Sequence, residues 1–499
     1  MNADTRDLDQ TTDEHSEPDG TDTYDVVVIG GGPVGENVAQ YAIEGTDLTA
    51  VIVEQELVGG ECSYYACMPS KALLRPLAVA DASANLEGIS TSQVEVEGLL
   101  ARRDTWVSDY DDAGQVDWAE GAGIDVVRGR GRLVGEREVE VTGPSVRRLR
   151  ARRAVVLATG SDPQVPGPLR EIAPWGSRDV TGVREVPERL LIVGGGVVAV
   201  EAATWMAALG SRVTMLVRGD SLLSGFEPCA GRHVAEALEK AGVEVQLGAS
   251  TVEATRTGTH EHPPLGRPHG GEITVVVEDS DGRREVRGDE LLAATGRAPR
   301  LEGLGLDALG LSADDVTGGD LPGWLHVVGD ASGEAPLTHW GKYRARELGA
   351  RLRSEALAAT TGEDAPVEAA PPEVPVPQVV FTDPQVASVG LTEQEAREKG
   401  RDVTVAEVPF GSAAGSALLR DDVVGTAKLV VDADSRTLLG ATFVGPDAGE
   451  QLHAATIAIV GRVPVHVLRH AVPSYPAVSE LWLRLLEELP REFRTAPPL

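Results

Sequence analysis

The chain has few cations, few aromatic side chains and almost no cysteine. Its 499 residues carry 45 Lys+Arg against 78 Asp+Glu, which gives a formal net charge of -33. Binding to nucleic acid depends on cationic contacts with phosphates and on the release of counterions, and so acidic a surface cannot supply them. We therefore predict that nucleic acid is not a partner.

Long apolar runs are absent as well. No stretch of about 18 uninterrupted apolar residues occurs, as a membrane span would need, and the N-terminus is acidic and polar, unlike a signal peptide. These features predict a cytoplasmic protein without a membrane partner. With aromatic residues at 4% and 57 glycines, the composition favours close-packed α/β layers, and the length predicts about three domains.

Three cysteines are too few for a disulfide scaffold. Cys62 and Cys67 lie close together in the sequence, as a redox or metal-binding pair would, whereas Cys229 is isolated and is predicted to have a packing role. A structural zinc ion needs four ligands, and no cluster of His and Cys supplies the other two. We therefore predict no metal site.

Two segments of the chain are typical of βαβ units. YDVVVIGGG, which begins at Tyr24, is an apolar run ending in glycines, and a helical stretch and the apolar strand LTAVIVE follow it. RLLIVGGGVVAVEAATWMAALGSRVTMLVR repeats this order much later. Residues 1–23 are predicted to be a disordered acidic tail and 358–378, rich in Ala and Pro, an interdomain linker. Residues 379–499 are predicted to form an α+β domain.

The first βαβ unit carries a dinucleotide-binding motif. Gly30, Gly32 and Gly35 lie between its strand and its helix, and Glu54 ends the next strand. Glycines there allow a tight turn and the close approach of a pyrophosphate to the helix N-terminus, while the carboxylate can bind a ribose hydroxyl pair.

The second unit carries the corresponding motif, with Gly194, Gly196 and then Ala199. Its second strand ends in Val217 and Arg218, where an NAD-specific site often has an acid. Arg218 can pair with a 2′-phosphate, so NADP is favoured over NAD, although NAD is possible. The alternative is that Arg218 is a solvated surface side chain.

The most specific segment is GGECSYYACMPSKALLRP, residues 59–76. A C-x4-C pair at the start of a helix can place both sulfurs on one side, and the helix dipole favours the thiolate. The segment resembles the redox motif of the class I flavoprotein disulfide reductases, which include dihydrolipoamide dehydrogenase, glutathione reductase and mercuric reductase. The resemblance covers roughly residues 24–489 and includes VVLATGS (155–161), AATGRAPR (293–300) and LHVVGDAS (325–332).

This resemblance implies a fold and a set of site residues. The fold is α/β, with two Rossmann-like domains that bind FAD and NAD(P) and a C-terminal α+β dimerisation domain in a homodimer. Cys62 would be the interchange thiol that attacks substrate, and Cys67 the thiol that contacts the flavin. Lys71 would lie near the flavin and pair with Glu201. The cofactor-binding residues would be Gly30, Gly32, Gly35, Glu54, Thr159, Gly160, Gly194, Gly196, Arg218, Arg297 and Asp330, the last for the ribityl chain.

The corresponding domain limits follow from these segments. We predict an FAD-binding domain over residues 24–180 and 299–357, an NAD(P)-binding domain over 181–298 and a dimerisation domain over 379–499.

The C-terminal part departs from the family pattern. Many of these enzymes carry His-Pro-x-x-x-Glu, whose histidine is the acid/base for the interchange thiol; here Tyr475 replaces the histidine, while the proline and Glu480 are present. A phenol with a reference pKa near 10 is a poor proton acceptor at neutral pH. The resemblance implies that each subunit supplies Tyr475 and Glu480 to the other subunit's site.

Other residues near these motifs leave alternatives open. His470 is a further candidate for the base, although a histidine that ends a helix is a common structural feature. Tyr64 and Tyr65, between the two cysteines, either line the substrate site or pack over the flavin edge. Mercuric reductase also has a tyrosine at the place of Tyr475, but the end of this chain, EFRTAPPL, lacks the cysteine pair with which that enzyme delivers metal.

We therefore predict an NAD(P)H-dependent flavoprotein oxidoreductase that reduces a small-molecule or protein disulfide, or a related thiol-reactive substrate, through a Cys62–Cys67 redox disulfide. One alternative is a dihydrolipoamide dehydrogenase, against which Arg218 and Tyr475 both argue. Another is an NAD(P)H diaphorase that passes electrons from FAD to quinones. A third is a non-catalytic redox-sensing or binding protein.

Overall fold

The computed structural model describes residues 21–258, 263–361 and 374–495. The strands are β1 (Thr21–Ile29), β2 (Ala50–Glu54), β3 (Ile124–Arg128), β4 (Arg130–Gly135), β5 (Glu138–Thr142), β6 (Val146–Leu157), β7 (Ser161–Pro163), β8 (Arg189–Val193), β9 (Arg212–Val217), β10 (Glu244–Leu247), β11 (Ser250–Arg256), β12 (Ile273–Asp279), β13 (Gly282–Gly288), β14 (Glu290–Ala293), β15 (Arg297–Pro299), β16 (Leu325–Val327), β17 (Gln378–Val380), β18 (Gln385–Gly390), β19 (Val403–Pro409), β20 (Thr426–Asp432) and β21 (Leu438–Gly445).

The α-helices lie between these strands and after the last of them, singly or in runs. They are α1 (Pro33–Ile43), α2 (Gly60–Tyr64), α3 (Cys67–Ala84), α4 (Val96–Trp106), α5 (Ala113–Gly121), α6 (Ser177–Thr181), α7 (Val197–Ala208), α8 (Pro228–Lys240), α9 (Ala313–Gly318), α10 (Thr338–Thr361), α11 (Glu393–Glu398), α12 (Ala414–Ala417), α13 (Leu452–Val460), α14 (Val465–Leu468) and α15 (Glu480–Glu488).

The chain divides into two compact units, and each is assembled from three separate stretches. The first unit consists of Met1–Tyr64, Val107–Asp162 and Arg297–Ala369, and the second consists of Tyr65–Trp106, Pro163–Gly296 and Ala370–Leu499.

The first unit is built on a sheet of order β3-β2-β1-β6-β5-β4, with β16 also paired to β6. Strands β1, β2, β3, β6 and β16 are parallel, whereas β4 and β5 join antiparallel. Residues 26–29 of β1 are all buried, as expected for a parallel strand that is covered on both faces. Val28 and Ile52 pack in one core with α1 and α10. The carboxyl ends of β1 and β2 therefore present the Gly30 turn and Glu54 at one edge.

The second unit contains two further sheets of the nucleotide-binding part and one C-terminal sheet. Parallel strands in the order β10-β9-β8-β14 form the first, and β11-β12-β13 form an antiparallel sheet. The C-terminal sheet, β17-β18-β21-β20-β19, is antiparallel, and its core includes residues of α13 and α15. The predicted fold class, two Rossmann-like parts followed by an α+β part, is confirmed.

Two predicted boundary segments differ from the structure. Strand β1 begins at Thr21 rather than Tyr24, because Thr21 pairs with Arg148 of β6 and Arg147 forms an ion pair with Asp22. The rest of the predicted tail, residues 1–20, lies outside the described residues. Helix α10 continues through the first four residues of the predicted linker, the first two of which are alanines and strong helix formers. Residues 362–373 of that linker lie outside the described residues, and the domain limits stay a prediction.

Candidate active site

The first glycine turn packs closely against the protein backbone at the start of α1. Gly30 has a φ of +111°, and a Cβ there would lie 2.3 Å from the carbonyl oxygen of Ala158. A Cβ at Gly35 would lie 2.0 Å from the carbonyl oxygen of Gly30. Only glycine therefore fits at either position, and the backbone N–H groups at the helix start stay accessible to an anionic group. Gly32 is the N-cap of α1.

Glu54 is fixed at the end of β2 by backbone donors. The N–H of Gly31 donates to Glu54 Oε2 at 2.7 Å, and the N–H of Glu56 donates to Glu54 Oε1 at 2.7 Å. The carboxylate thus lies against the glycine turn itself, which is the arrangement that a ribose-binding acid requires.

Asp330 lies in the same unit as Thr159, Gly160 and Arg297. Ser161 Oγ donates to Asp330 Oδ2 at 2.6 Å, and Arg297 Nε donates to Ser161 Oγ at 2.8 Å. Three segments that are distant in sequence therefore meet at Ser161, a residue that the sequence analysis did not select although it ends the VVLATGS fingerprint.

Thr159 and Gly160 are tied to the AATGRAPR fingerprint as well. Thr159 Oγ1 donates to the carbonyl oxygen of Arg300 at 2.7 Å, and the N–H of Arg300 donates to the carbonyl oxygen of Gly160 at 2.9 Å. Thr159, Gly160 and Arg300 thus form one connected arrangement in the first unit.

The second glycine turn has the same geometry. Gly194 has a φ of +131°, and a Cβ there would lie 2.2 Å from the carbonyl oxygen of Ala294, while Gly196 is the N-cap of α7. Arg218 follows the last residue of β9, is exposed and, within the described ranges, has no ion-pair partner. Its guanidinium is thus available to an anionic ligand at the end of β9.

The two predicted redox cysteines belong to successive helices. Cys62 lies within α2, and Cys67 is the first residue of α3; both are half-buried. Because a helix N-terminus favours negative charge, the position of Cys67 stabilises its thiolate. Cys229 is buried, and burial raises the pKa of its thiol to about 11, which agrees with the predicted packing role.

Lys71 and Glu201 form an ion pair inside the second unit. Lys71 Nζ lies 2.8 Å from Glu201 Oε2, and the Glu201 carboxylate is nearly buried. The N–H of Phe381 donates to Glu201 Oε1 at 2.9 Å, and the Lys71 ammonium lies 4.7 Å from the centre of the Phe381 ring. Lys71 lies one turn after Cys67 in α3, so a fixed cation accompanies the thiol. Phe381 was not predicted, because no local pattern marks a contact 180 residues distant from Glu201.

The two tyrosines between the cysteines have different surroundings. Tyr64 is buried, and its hydroxyl donates to Gln115 Oε1 at 3.1 Å. Burial and the nearby carboxylate of Asp112 raise the pKa of Tyr64 to about 12, so this phenol stays protonated. Tyr65 is half-buried and belongs to the second unit. Tyr64 is therefore not an activated proton acceptor.

Tyr475, which replaces the family's histidine, lies on an exposed turn. The Tyr475 side chain is 77% exposed, and Glu480 is buried at the start of α15. Arg484 Nη2 donates to Glu480 Oε1 at 2.8 Å, and the N–H of Ala414 donates to Glu480 Oε2 at 3.3 Å. Both oxygens of the predicted orienting carboxylate are therefore already bonded. His470 is exposed just beyond the end of α14.

Comparison with known families supplies the identification. The pyridine nucleotide-disulphide oxidoreductase family matches residues 24–319, and the dimerisation domain of the same family matches residues 376–485. The chain belongs to this family. A dihydrolipoyl dehydrogenase of Thermus scotoductus is 33% identical over 486 residues, which cover 94% of this chain and 98% of that protein. A mercuric reductase of Lysinibacillus sphaericus is 30% identical over 470 residues, which cover 92% of this chain and 81% of that protein.

Solved structures of flavoprotein disulfide reductases share the fold of this pyridine nucleotide-disulphide oxidoreductase. The HOCl-induced reductase RclA from Escherichia coli superimposes with a TM-score of 0.74 at 22% identity, covering 93% of this chain and 99% of RclA. LpdA from Mycobacterium tuberculosis gives a TM-score of 0.75 at 23% identity, covering 93% of this chain and 98% of LpdA.

Membership of the family establishes the reaction class. The protein is an NAD(P)H-dependent flavoprotein oxidoreductase that acts on sulfur groups, and its family binds FAD and pyridine nucleotides. The turn fits such a cofactor, since a Cβ at Gly32, the N-cap of α1, would have no protein atom closer than 4.0 Å. Across the described ranges, no cluster of three or more His, Cys, Asp or Glu side chains is arranged to hold a metal ion. None of the helices described is both long and apolar enough to cross a membrane.

Proposed function

We propose that this chain is an NADPH-dependent reductase of disulfides, or of related thiol-reactive compounds, that works through a Cys62–Cys67 bridge. The observation that carries the proposal is the ion pair between Lys71, on the helix that Cys67 begins, and Glu201 of α7. FAD, when bound, would supply the two-electron redox chemistry that links NADPH to the cysteine pair. Gly30, Glu54 and Asp330 would hold it, and Lys71 would stabilise negative charge near Cys67.

The proposed division of labour between the cysteines follows from their positions. Cys67, at the start of α3, is the thiol favoured as a stable thiolate. Cys62 is the thiol proposed to attack the substrate sulfur, so that a mixed disulfide forms and Cys67 then resolves it. Two electrons pass to the substrate disulfide, and the cysteines return to the bridged form.

NADPH is the proposed electron donor because of the chemistry at the end of β9. Arg218 is exposed directly after Val217, and no carboxylate ends this strand. An arginine can bind a 2′-phosphate through two parallel hydrogen bonds, whereas an acid at this place would repel it. NAD remains usable, because the rest of the turn is common to both nucleotides.

A homodimer is the proposed assembly, since the chain has the family's dimerisation domain over residues 376–485. The C-terminal part of the described chain exposes apolar side chains that a subunit contact would cover, among them Ile457, Val460, Val467 and Val472. Tyr475 follows them in the sequence, is exposed as well, and is proposed to reach the active site of the other subunit.

A second candidate function is direct reduction of quinones, with little use of the cysteines. The observation that favours it is the absence of a histidine at Tyr475 together with the engagement of Glu480 by Arg484, since both weaken proton transfer to a thiol.

The deciding experiment is a turnover screen with NADPH and NADH against lipoamide, low-molecular-weight disulfides, Hg(II) and quinones. Cys62→Ser should abolish disulfide reduction and leave quinone reduction intact, and Cys229→Ser serves as the matched control because Cys229 is buried elsewhere in the second unit. Disulfide turnover that survives Cys62→Ser would contradict the proposal.

A further inference from the structure

Tyr65, which lies between the two cysteines in sequence, is held at two points by the short helix α6. Thr181 Oγ1 donates to the carbonyl oxygen of Tyr65 at 2.8 Å. The guanidinium of Arg178 lies 4.3 Å from the centre of the Tyr65 ring. The Thr181 hydroxyl also lies 3.0 Å from the carbonyl oxygen of Ser177, but it has a single proton, and the contact with Tyr65 is the shorter. Backbone and ring of Tyr65 are therefore both engaged.

Helix α6 is itself firmly anchored within the second unit. Arg103, which is fully buried, donates to the carbonyl oxygens of Thr181 and Val183. Trp205 Nε1 of α7 donates to the carbonyl oxygen of Val180 at 3.2 Å. A buried guanidinium is tolerated only when its donors are bonded, so this network fixes one position of α6. Tyr65 is thus held by a rigid element.

We propose that Arg178 is a positioning residue for the Cys62–Cys67 pair. This inference rests on the proposed function, because it assumes that the two cysteines form and break a bridge. Fixing Tyr65 restricts the middle of the segment that joins the cysteines, and so limits the separations that the two sulfurs sample. When the two sulfurs are held close together, the effective concentration of one near the other is higher, and the disulfide forms more readily. Arg178 therefore stabilises the bridged form and lowers the reduction potential of the pair.

The guanidinium is suited to this role by its shape as well as its charge. It is planar and stacks on an aromatic face, whereas an ammonium acts as a point charge on a flexible stem. The whole of such a contact corresponds to about a twofold to thirtyfold change in an equilibrium constant, which is an upper limit for its effect on the cysteine pair. For a two-electron couple, a tenfold change is about 30 mV. Arg178→Met should shift the reduction potential of the pair by up to about 30 mV in the direction that favours the dithiol. Arg178→Lys should shift it by less.

The test uses the full-length, FAD-loaded enzyme and a readout other than turnover. The protein is equilibrated with mixtures of a small dithiol and its cyclic disulfide, the thiols are trapped by alkylation, and mass spectrometry gives the bridged fraction. In each exchange one S–S bond of the protein breaks and one forms in the small molecule, so two electrons and two protons pass to the cysteines. Tyr65→Leu should match Arg178→Met, and Tyr65→Phe should shift the equilibrium less than about twofold.

Arg102 provides a matched control. Its guanidinium lies 5.6 Å from the centre of the Trp106 ring in the same unit, so Arg102→Met removes a similar contact far in sequence from the cysteines and should leave the potential unchanged. Thr181→Val should shift the pair in the same direction as Arg178→Met, whereas Thr181→Ser should not. These threonine variants decide the question if Arg178→Met does not fold.

The outcomes separate this inference from the proposed function. If Arg178→Met and Arg102→Met give the same potential as the wild type, or if Arg178→Met changes only the midpoint of unfolding, the positioning role is wrong while the proposed function stands. If the wild type shows no Cys62–Cys67 bridge at any dithiol ratio, the proposed function itself is wrong and the inference falls with it.

Discussion

Replacing Tyr475 by histidine tests whether the enzyme lacks a base for its thiol chemistry. An imidazole with a reference pKa near 6.5 accepts a proton at neutral pH, whereas a phenol near 10 does not. General-base catalysis contributes at least about 10²-fold. We therefore expect Tyr475→His to raise reduction of lipoamide or glutathione disulfide by up to about 10²-fold near neutral pH.

The structure limits this gain. Glu480, the carboxylate that would stabilise an imidazolium, is already bonded to Arg484 at 2.8 Å and to the N–H of Ala414. Arg484 is 43% exposed, and an ion pair of this kind contributes no more than about 1 kcal/mol. Because one pKa unit corresponds to 1.36 kcal/mol, removing Arg484 should raise the pKa of the new histidine by less than about one unit. Tyr475→His with Arg484→Met should therefore gain up to about fivefold over Tyr475→His alone.

The assay is steady-state NADPH oxidation between about pH 6 and pH 9, with a disulfide and a quinone as alternative acceptors. Wild-type disulfide turnover should rise toward alkaline pH as the thiolate forms unaided, and Tyr475→His should flatten this rise. Tyr475→Phe is the control for loss of the hydroxyl, and quinone turnover should change little in every variant. If the wild type is already fast and independent of pH near neutrality, and Tyr475→His is no faster, then another group such as His470 is the base.

Three further predictions concern single side chains. Arg218→Glu should lower the ratio of kcat/KM for NADPH to kcat/KM for NADH by at least about tenfold. Arg212→Glu, a change of an exposed arginine in the strand that precedes Arg218, should leave this ratio unchanged. An unchanged ratio in Arg218→Glu would disprove the 2′-phosphate contact. Lys71→Met should lower the free energy of unfolding by about 2 kcal/mol in urea titrations, because it leaves the buried Glu201 carboxylate unpaired, and adding Glu201→Gln should recover part of the loss. Burial raises the pKa of Glu36 to about 7 from 4.5, so the folded state binds more protons than the unfolded state between these two pH values. The free energy of unfolding should therefore fall as pH rises through this window. Glu36→Gln should remove this pH dependence, and a dependence that persists in the variant would assign it to another group.

The glycine turns and the strand ends beside them could be read from the sequence because their chemistry is local. A tight turn at Gly30 and a carboxylate at Glu54 occupy fixed positions within one βαβ unit, and the backbone geometry of the unit determines where both lie. Resemblance to a family extended this to Lys71 and Glu201, whose pairing spans 130 residues and has no local signature.

What the sequence did not predict depends on contacts between distant segments. Nothing in the pattern around Arg178 indicates that its guanidinium covers the ring of Tyr65, 113 residues earlier in the chain. The pairing of Glu480 with Arg484 is different, since a spacing of four within a helix is a recognisable signal. The extension of α10 into the predicted linker shows that helix propensity outweighed a composition typical of loops.

The Glu201 carboxylate has a consequence for how the protein is made. It is bonded by Lys71 from the first stretch of the second unit and by the N–H of Phe381 from the last stretch. A nascent chain that has not yet exposed residue 381 outside the ribosome leaves a nearly buried carboxylate without its backbone donor. The second unit must therefore complete its folding after synthesis of most of the chain, and truncations before this point should be captured by chaperones or proteases.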